Sequence, residues 1–127
     1  MLNQLTQKII GSAIEVHKHL GPGLLESAYE ECVAKEFEIN SIKFERQKTL
    51  PIVYKDIKLD CGYRIDFLVE DHIVVELKSV EQIIPIFIAQ LLTYLRLMEK
   101  HVGLLINFNV PILRNGIRRV VNNYQEE

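Results

Sequence analysis

RIDFLVEDHIVVELKSV, residues 64–80, holds two short, largely apolar runs with Asp66, Glu76 and Lys78 set among them, on either side of a polar turn. That is the pattern of a β-hairpin. A strand's faces are set by parity, so the register of such a hairpin can be argued from the letters alone. Ile65, Phe67 and Val69 share one face of the first strand; Ile73, Val75 and Leu77 share one face of the second. Bringing both apolar rows to the same side requires an odd loop, and Glu70-Asp71-His72 supplies it. Phe67 then faces Val75, Ile65 faces Leu77 and Leu68 faces Val74. On the charged side, Arg64 meets Lys78 and Asp66 meets Glu76.

Directly opposed side chains on paired strands stand roughly 4.5–5.5 Å apart at Cβ, and like charges there destabilise. Two compensations are open. One is a diagonal ion-pair lattice, Arg64 to Glu76 and Lys78 to Asp66. The other is a divalent cation of the Mg²⁺ or Mn²⁺ kind, which takes one or two carboxylates and fills its shell with water and phosphate. The spacing D-x9-E-x-K also puts Glu76 and Lys78 on one strand face. Metal-dependent phosphodiester hydrolysis needs this set: two carboxylates for a metal that polarises phosphate and lowers the pKa of water. A lysine beside them can orient that water or neutralise charge on the phosphate.

Outward from the hairpin, Leu2, Leu5, Ile9, Ala13, Val16 and Leu20 recur at helical spacing and predict a helix over 3–19. Gly21-Pro22-Gly23 stops it. A second helix runs from Leu24 to about Glu38, with Glu26 in its first turn, where the helix dipole favours an acid. Residues 43–54 read as extended, Lys55-Asp56 as a turn and 57–60 as the return. After the hairpin, Pro85 sits near the start of a third helix reaching about Lys100. VGLLINF, 102–108, is a continuous apolar run, as expected of a central strand covered on both faces. GIRRVVNNYQEE closes the chain as a last strand or short helix and a frayed tail. The order α-α-β-β-β-β-α-β predicts an α/β fold, a mixed central sheet flanked by helices.

The chain has 127 residues, and one domain over 1–127 is expected. Its net charge of −2 argues against a dedicated nucleic-acid coat protein. Charge is uneven: residues 1–40 hold three Lys and six Glu, and residues 41–125 hold twelve Lys or Arg against nine acids. Cys32 and Cys61 form no CxxC or disulfide framework, are expected to be buried or half-buried, and fit a reduced, cytoplasmic setting. The N-terminus has the wrong pattern for a signal peptide, and no apolar run suggests a membrane span. His17 and His19 are two apart on a helix, on different faces, so they make no zinc pair. No phosphate-binding loop or Ser-His-Asp constellation is visible.

Asp66 with Glu76-Leu77-Lys78 resembles the PD-(D/E)xK nuclease superfamily, whose core of helix, three-stranded meander, helix and further strand matches residues 24–108. Within it, Gly23, Glu26 and Tyr29 spell G-x-x-E-x-x-Y, the signature of the GxxExxY protein family. Gln90 and Tyr94 resemble the Q-x-x-x-Y motif of exonuclease-like members, and GLLINF at 103–108 and the GIRR ending are similar to the family as well. The residue before Asp66 is Ile65 rather than the proline of the superfamily's name.

The resemblance implies that Asp66 and Glu76 are metal ligands, with the Leu77 carbonyl as a backbone ligand and Lys78 as the catalytic lysine. Glu26 matches an additional acidic residue of the metal shell. Gln90 and Tyr94, four apart and so on one helix face, would flank the site and contact substrate or Lys78. It implies a Mg²⁺- or Mn²⁺-dependent nuclease acting on DNA or RNA; the hydropathy gives no membrane role, and the modest charge and small size favour a homodimer or a partner protein. The alternative is a non-catalytic nucleic-acid-binding or protein-interaction module that keeps the fold. Structural readings stand beside the functional ones: Glu26 as a first-turn acid, Tyr29 as a core or core-edge aromatic, Gln90 and Tyr94 as buried polar groups that each make a structural hydrogen bond, and Arg64 as an ion-pair partner. Gln47 is a further candidate for pointing toward the site.

Overall fold

The computed structural model describes residues 2–124. Two helices come first, α1 (Leu2–Leu20) and α2 (Glu26–Ile39). The helical spacing of Ile9, Ala13 and Val16 brings all three into the core. α1 ends where the Gly21 N–H bonds the His17 carbonyl. The chain then turns through Gly23, whose φ of 98° would strain any residue with a Cβ.

The strands are β1 (Phe44–Thr49), β2 (Ile52–Tyr54), β3 (Ile57–Leu59), β4 (Arg64–Val69), β5 (Ile73–Lys78), β6 (Val102–Asn107) and β7 (Ile117–Val121), with α3 (Pro85–Met98) between β5 and β6. Five of them form one mixed sheet in the order β1-β4-β5-β6-β7. Only β5 and β6 run parallel. Parallel neighbours need a long connection, and α3 provides it. α1 and α2 pack with Phe67, Val75 and Leu104 on one face; α3 packs with Leu68, Val74 and Leu105 on the other. β6 is therefore buried along its whole length, as its apolar run requires.

The extended segment 43–54 is two strands rather than one. Pro51 has no N–H for a ladder, and β2 leaves the sheet to pair with β3 alone in a separate ribbon. Lys55 and Asp56 make its two-residue turn, both with positive φ, 48° and 67°, as tight hairpins require. The closing segment resolves as a 3-10 turn, Leu113–Gly116, followed by β7. The tail expected at 125–127 lies outside the described residues. Cys32 is half-buried, but Cys61 is exposed, contrary to expectation, because it lies in the open loop before β4.

The hairpin register is the one parity gives: Phe67 pairs with Val75, Leu68 with Val74 and Val69 with Ile73, and the His72 N–H closes the loop onto the Val69 carbonyl at 2.9 Å. The expectation fails at Ile65. It packs with Leu50 and the α3 cluster, on the opposite side from Phe67 and Val69. The pleat is broken next to it, at Asp66, by side-chain bonds described below.

Gly116 explains the GIRR ending in packing terms. A Cβ there would collide with the backbone carbonyl of Asn107, which cannot swing aside as a side chain would. Gly116→Ala is expected to cost about 2 kcal/mol or more, at the upper end of overpacking penalties, read as a lower urea midpoint with an unchanged slope. An unchanged midpoint would show that the turn relaxes freely.

Candidate functional site

The sheet's order breaks at Asp66. The β1–β4 ladder pairs Arg46 with Phe67 and Lys48 with Ile65 but skips Gln47 and Asp66, and the β4–β5 ladder stops at Phe67 and Val75. Gln47 stands in the left-handed region, φ 52°, a conformation that costs a non-glycine residue about 1 kcal/mol or more. Side chains replace the missing ladder bonds. The Asp66 N–H donates to Glu76 Oε2 at 2.7 Å, and the Leu77 N–H donates to Asp66 Oδ2 at 2.8 Å. Each carboxylate thus accepts from the other's strand, which holds both acids face to face across the opened hairpin.

Both acids are desolvated. Asp66 is half-buried and Glu76 is 9% exposed. Burial, and then the nearby charges of Glu30 and Glu26, push the Asp66 carboxyl up to about 6 against the pull of the Leu77 N–H. Burial, and then the charge of Asp66, push Glu76 up to about 8; Lys78 lowers it by less. The ion-pair lattice does not form. Among the described residues neither Arg64 nor Lys78 pairs with either acid. Lys78 Nζ instead lies 4.7 Å over the ring of Phe87.

α2 supplies further negative charge. Glu26 is its exposed first residue, and its charge reaches both Asp66 and Glu76. Glu30, one turn on, is the acid the letters did not single out. Its Oε1 accepts from Gln47 Nε2 at 2.6 Å and its Oε2 from Arg46 at 2.7 Å, while the same Gln47 nitrogen lies 3.3 Å from Asp66 Oδ1. Its place four residues after Glu26, on the same helix face, is the signal that could have found it. Gln47 does point into the site.

The G-x-x-E-x-x-Y spacing has a structural reason. Tyr29 is fully buried and stacks on Phe108, centroids 4.4 Å apart. Its hydroxyl donates to the Gly21 carbonyl at 2.5 Å and accepts from the Leu24 N–H at 3.1 Å. It thereby fastens the glycine turn that starts α2 and sets where Glu26 stands. Ser79, just past Lys78, donates to the Leu24 carbonyl at 2.6 Å and ties that turn to the end of β5. Asn107, buried in β6, bonds the backbone of Val80 through both ends of its amide, at 3.1 and 3.0 Å. Tyr29→Phe keeps the stacked ring and loses two hydrogen bonds, so a loss of about 1–2 kcal/mol is expected in urea unfolding. No loss would mean that the loop holds without them.

On the far side, Phe87, Gln90 and Tyr94 follow at helical spacing along α3. Tyr94 is buried; burial, and then the Glu76 charge, push its hydroxyl up, against a smaller lowering by the Gln90 amide. Glu26, Lys78 and Tyr94 thus stand near enough to Asp66 or Glu76 for their charges to act on one another, and Gln90 lies beside Tyr94 in α3. Among the described residues no three His, Cys, Asp or Glu side chains meet as a ready ligand set. The donors that do meet, two desolvated carboxylates with no cation of their own, suit a hard divalent ion that takes two protein ligands plus water and phosphate. His17 bonds the Val110 carbonyl at 2.8 Å and is structural. Among the described residues no helix is long and apolar enough to cross a membrane.

No curated protein and no solved structure matches the chain. A family model does: that of the PD-(D/E)XK nuclease superfamily matches residues 3–120. The match takes in α1, the meander with Asp66 and Glu76, α3 and most of β7. By that match, and with a five-stranded mixed sheet between helices that is consistent with it, the chain belongs to the PD-(D/E)XK nuclease superfamily.

Proposed function

We propose that this protein is a metal-dependent nuclease of the GxxExxY branch, hydrolysing phosphodiester bonds in nucleic acid. The observation that carries the reading is the pair of half-buried Asp66 and buried Glu76, each accepting from the other's strand and neither in a salt bridge with a lysine or arginine among the described residues. A fold keeps such a pair at a cost in stability, and a bound cation removes that cost. Asp66 and Glu76 would hold Mg²⁺ or Mn²⁺, with the Leu77 carbonyl and Glu26 as further ligands. When bound, the ion supplies Lewis acidity to the phosphate and a lowered pKa to its water.

The chain's own residues do the rest. The Leu77 and Asp66 N–H groups orient the two carboxylates. Glu30, through Gln47, sets the rotation of Asp66. Lys78, moving off the Phe87 ring, brings a positive charge to the developing phosphorane oxygens. Gln90 and Tyr94 flank the site and contact substrate.

The second reading, a non-catalytic nucleic-acid-binding or protein-interaction module, draws on one observation. The facing carboxylate oxygens already accept backbone bonds, with no third ligand gathered among the described residues. Labelled single- and double-stranded DNA and RNA, incubated with Mn²⁺, Mg²⁺ or chelator, separate the two. Metal-dependent cutting by wild type that Asp66→Asn lacks supports the nuclease. Nucleic-acid binding with no cutting under any of these conditions supports the module.

A further inference from the structure

Between the β2–β3 ribbon and α3 lies an open cavity of about 290 Å³, lined by Ile52, Tyr63, Ile86, Ala89, Gln90 and Tyr94 among others. Its volume is near the lower end of small-molecule pockets, roughly 300–1,000 Å³, and suits one flat ligand. Tyr63 and Tyr94 form its aromatic corner, centroids 6.2 Å apart and planes at 62°. Tyr63 is 44% exposed and Ile86 is 63% exposed, so an incoming ring meets apolar surface without displacing core. Gln90 supplies a side-chain amide in an otherwise largely apolar lining.

The cavity adjoins the carboxylate site through Tyr94. Tyr94 belongs to both: it lines the cavity and is close enough for the Glu76 and Asp66 charges to act on its hydroxyl. Tyr63 stands three residues before Asp66 on the chain. Three cations belong to the neighbouring segments: Arg64 follows Tyr63 in the chain, Lys58 is on β3, and Lys55, in the ribbon's turn, has its Nζ 5.5 Å over the Tyr54 ring. Among the described residues none of the three pairs with an acid. Apolar ring faces with an amide, cations without acid partners on the flanking segments and the two-carboxylate site next door match one chemistry, a nucleobase on its phosphate backbone. A duplex keeps its bases stacked inside; a single strand offers them freely.

We infer that the Tyr63–Tyr94 cavity takes an unpaired nucleobase and so selects single-stranded nucleic acid as the substrate. This rests on the nuclease reading for the purpose of the pocket, but its test does not depend on cutting. The probes are short DNA and RNA single strands carrying 2-aminopurine at one position, and the same sequences as blunt duplexes, titrated in chelator. Wild type and Tyr63→Phe are expected to shift the 2-aminopurine emission and to bind the single strand at least about tenfold tighter than the duplex. Tyr63→Ala is expected to lose roughly tenfold or more of that affinity. Ile86→Asp, at an exposed position that the fold does not need, is expected to do the same.

Equal single-strand affinity for wild type and both cavity variants overturns the inference. So does a duplex bound as tightly as the single strand, or no binding to either. Variants that change the sedimentation coefficient but not oligonucleotide affinity would make the cavity a protein-contact surface and also overturn it. The two proposals can fail separately. Tyr63-dependent single-strand binding without metal-dependent cutting keeps the pocket and loses the nuclease. Cutting with no dependence on Tyr63 does the reverse.

Discussion

Asp66→Asn is expected to lower metal-dependent cleavage by about a hundred- to a thousandfold or more, the scale of removing one preorganised electrostatic group, while leaving the thermal midpoint at pH 8 unchanged or higher. Asparagine keeps an oxygen for the Leu77 N–H and fits the same space. It removes a carboxylate, which a hard cation needs, and relieves the repulsion from Glu76 and Glu30. Activity and stability should therefore move in opposite directions, which an ordinary structural residue does not do. Cleavage under single-turnover conditions and a melting curve on the same samples check it. Retained cleavage would remove Asp66 from the metal site; a collapse of the melting temperature would make it a structural residue.

The metal-free protein should lose stability as pH rises from about 4 to about 8. Asp66 goes from an ordinary 3.8 to about 6, and Glu76 from 4.5 to about 8. Both folded values lie above the unfolded ones, so in this window the folded chain holds protons that the unfolded chain has released. Stability then falls with rising pH. A tenfold difference in proton affinity between the folded and unfolded chain corresponds to about 1.4 kcal/mol. The two acids interact, so the combined loss is on the order of a few kcal/mol rather than a simple sum. Divalent cations bind the deprotonated ligands, so added Mn²⁺ should restore stability, and more at pH 8 than at pH 5. Glu76→Gln should flatten the profile and weaken the Mn²⁺ effect. Urea midpoints at several pH values, in chelator and in Mn²⁺, measure both. A metal-free protein more stable at pH 8 than at pH 5 would contradict this electrostatic description of the pair.

The hairpin was legible because parity and an odd loop leave one register for two apolar rows, and Phe67, Val74 and Val75 stand where that argument puts them. Parity assumes an unbroken pleat, and this is why it misplaced Ile65. The Asp66 N–H is taken by a side chain rather than by the opposite strand, which frees the backbone to turn Ile65 toward α3. Asp66, Glu76 and Lys78 were legible as an unusual cluster of charge on an otherwise apolar hairpin. The failure of the ion-pair lattice was not, because Lys78 finds an aromatic face on α3, in a separate element of the chain that only the fold brings beside it. Glu30 shares a helix face with Glu26, but that spacing alone does not say that the face meets β1, where Arg46 and Gln47 bond it. The β2–β3 hairpin was legible in its Lys55-Asp56 turn; its separation from the main sheet was not, because alternation marks a strand without naming its partner. Tyr29 was readable as a core aromatic; its hydroxyl's hold on the glycine turn needed coordinates.

Everything proposed for the site depends on Asp66 and Glu76 holding one divalent cation between them. Crystals grown metal-free and soaked in Mn²⁺, with diffraction data collected at a wavelength where manganese scatters anomalously, test it directly. One strong anomalous peak is expected about 2.0–2.6 Å from an oxygen of each carboxylate, absent in Asp66→Asn. No peak there, with both carboxylates still bonded only to the Leu77 and Asp66 amides, would contradict it.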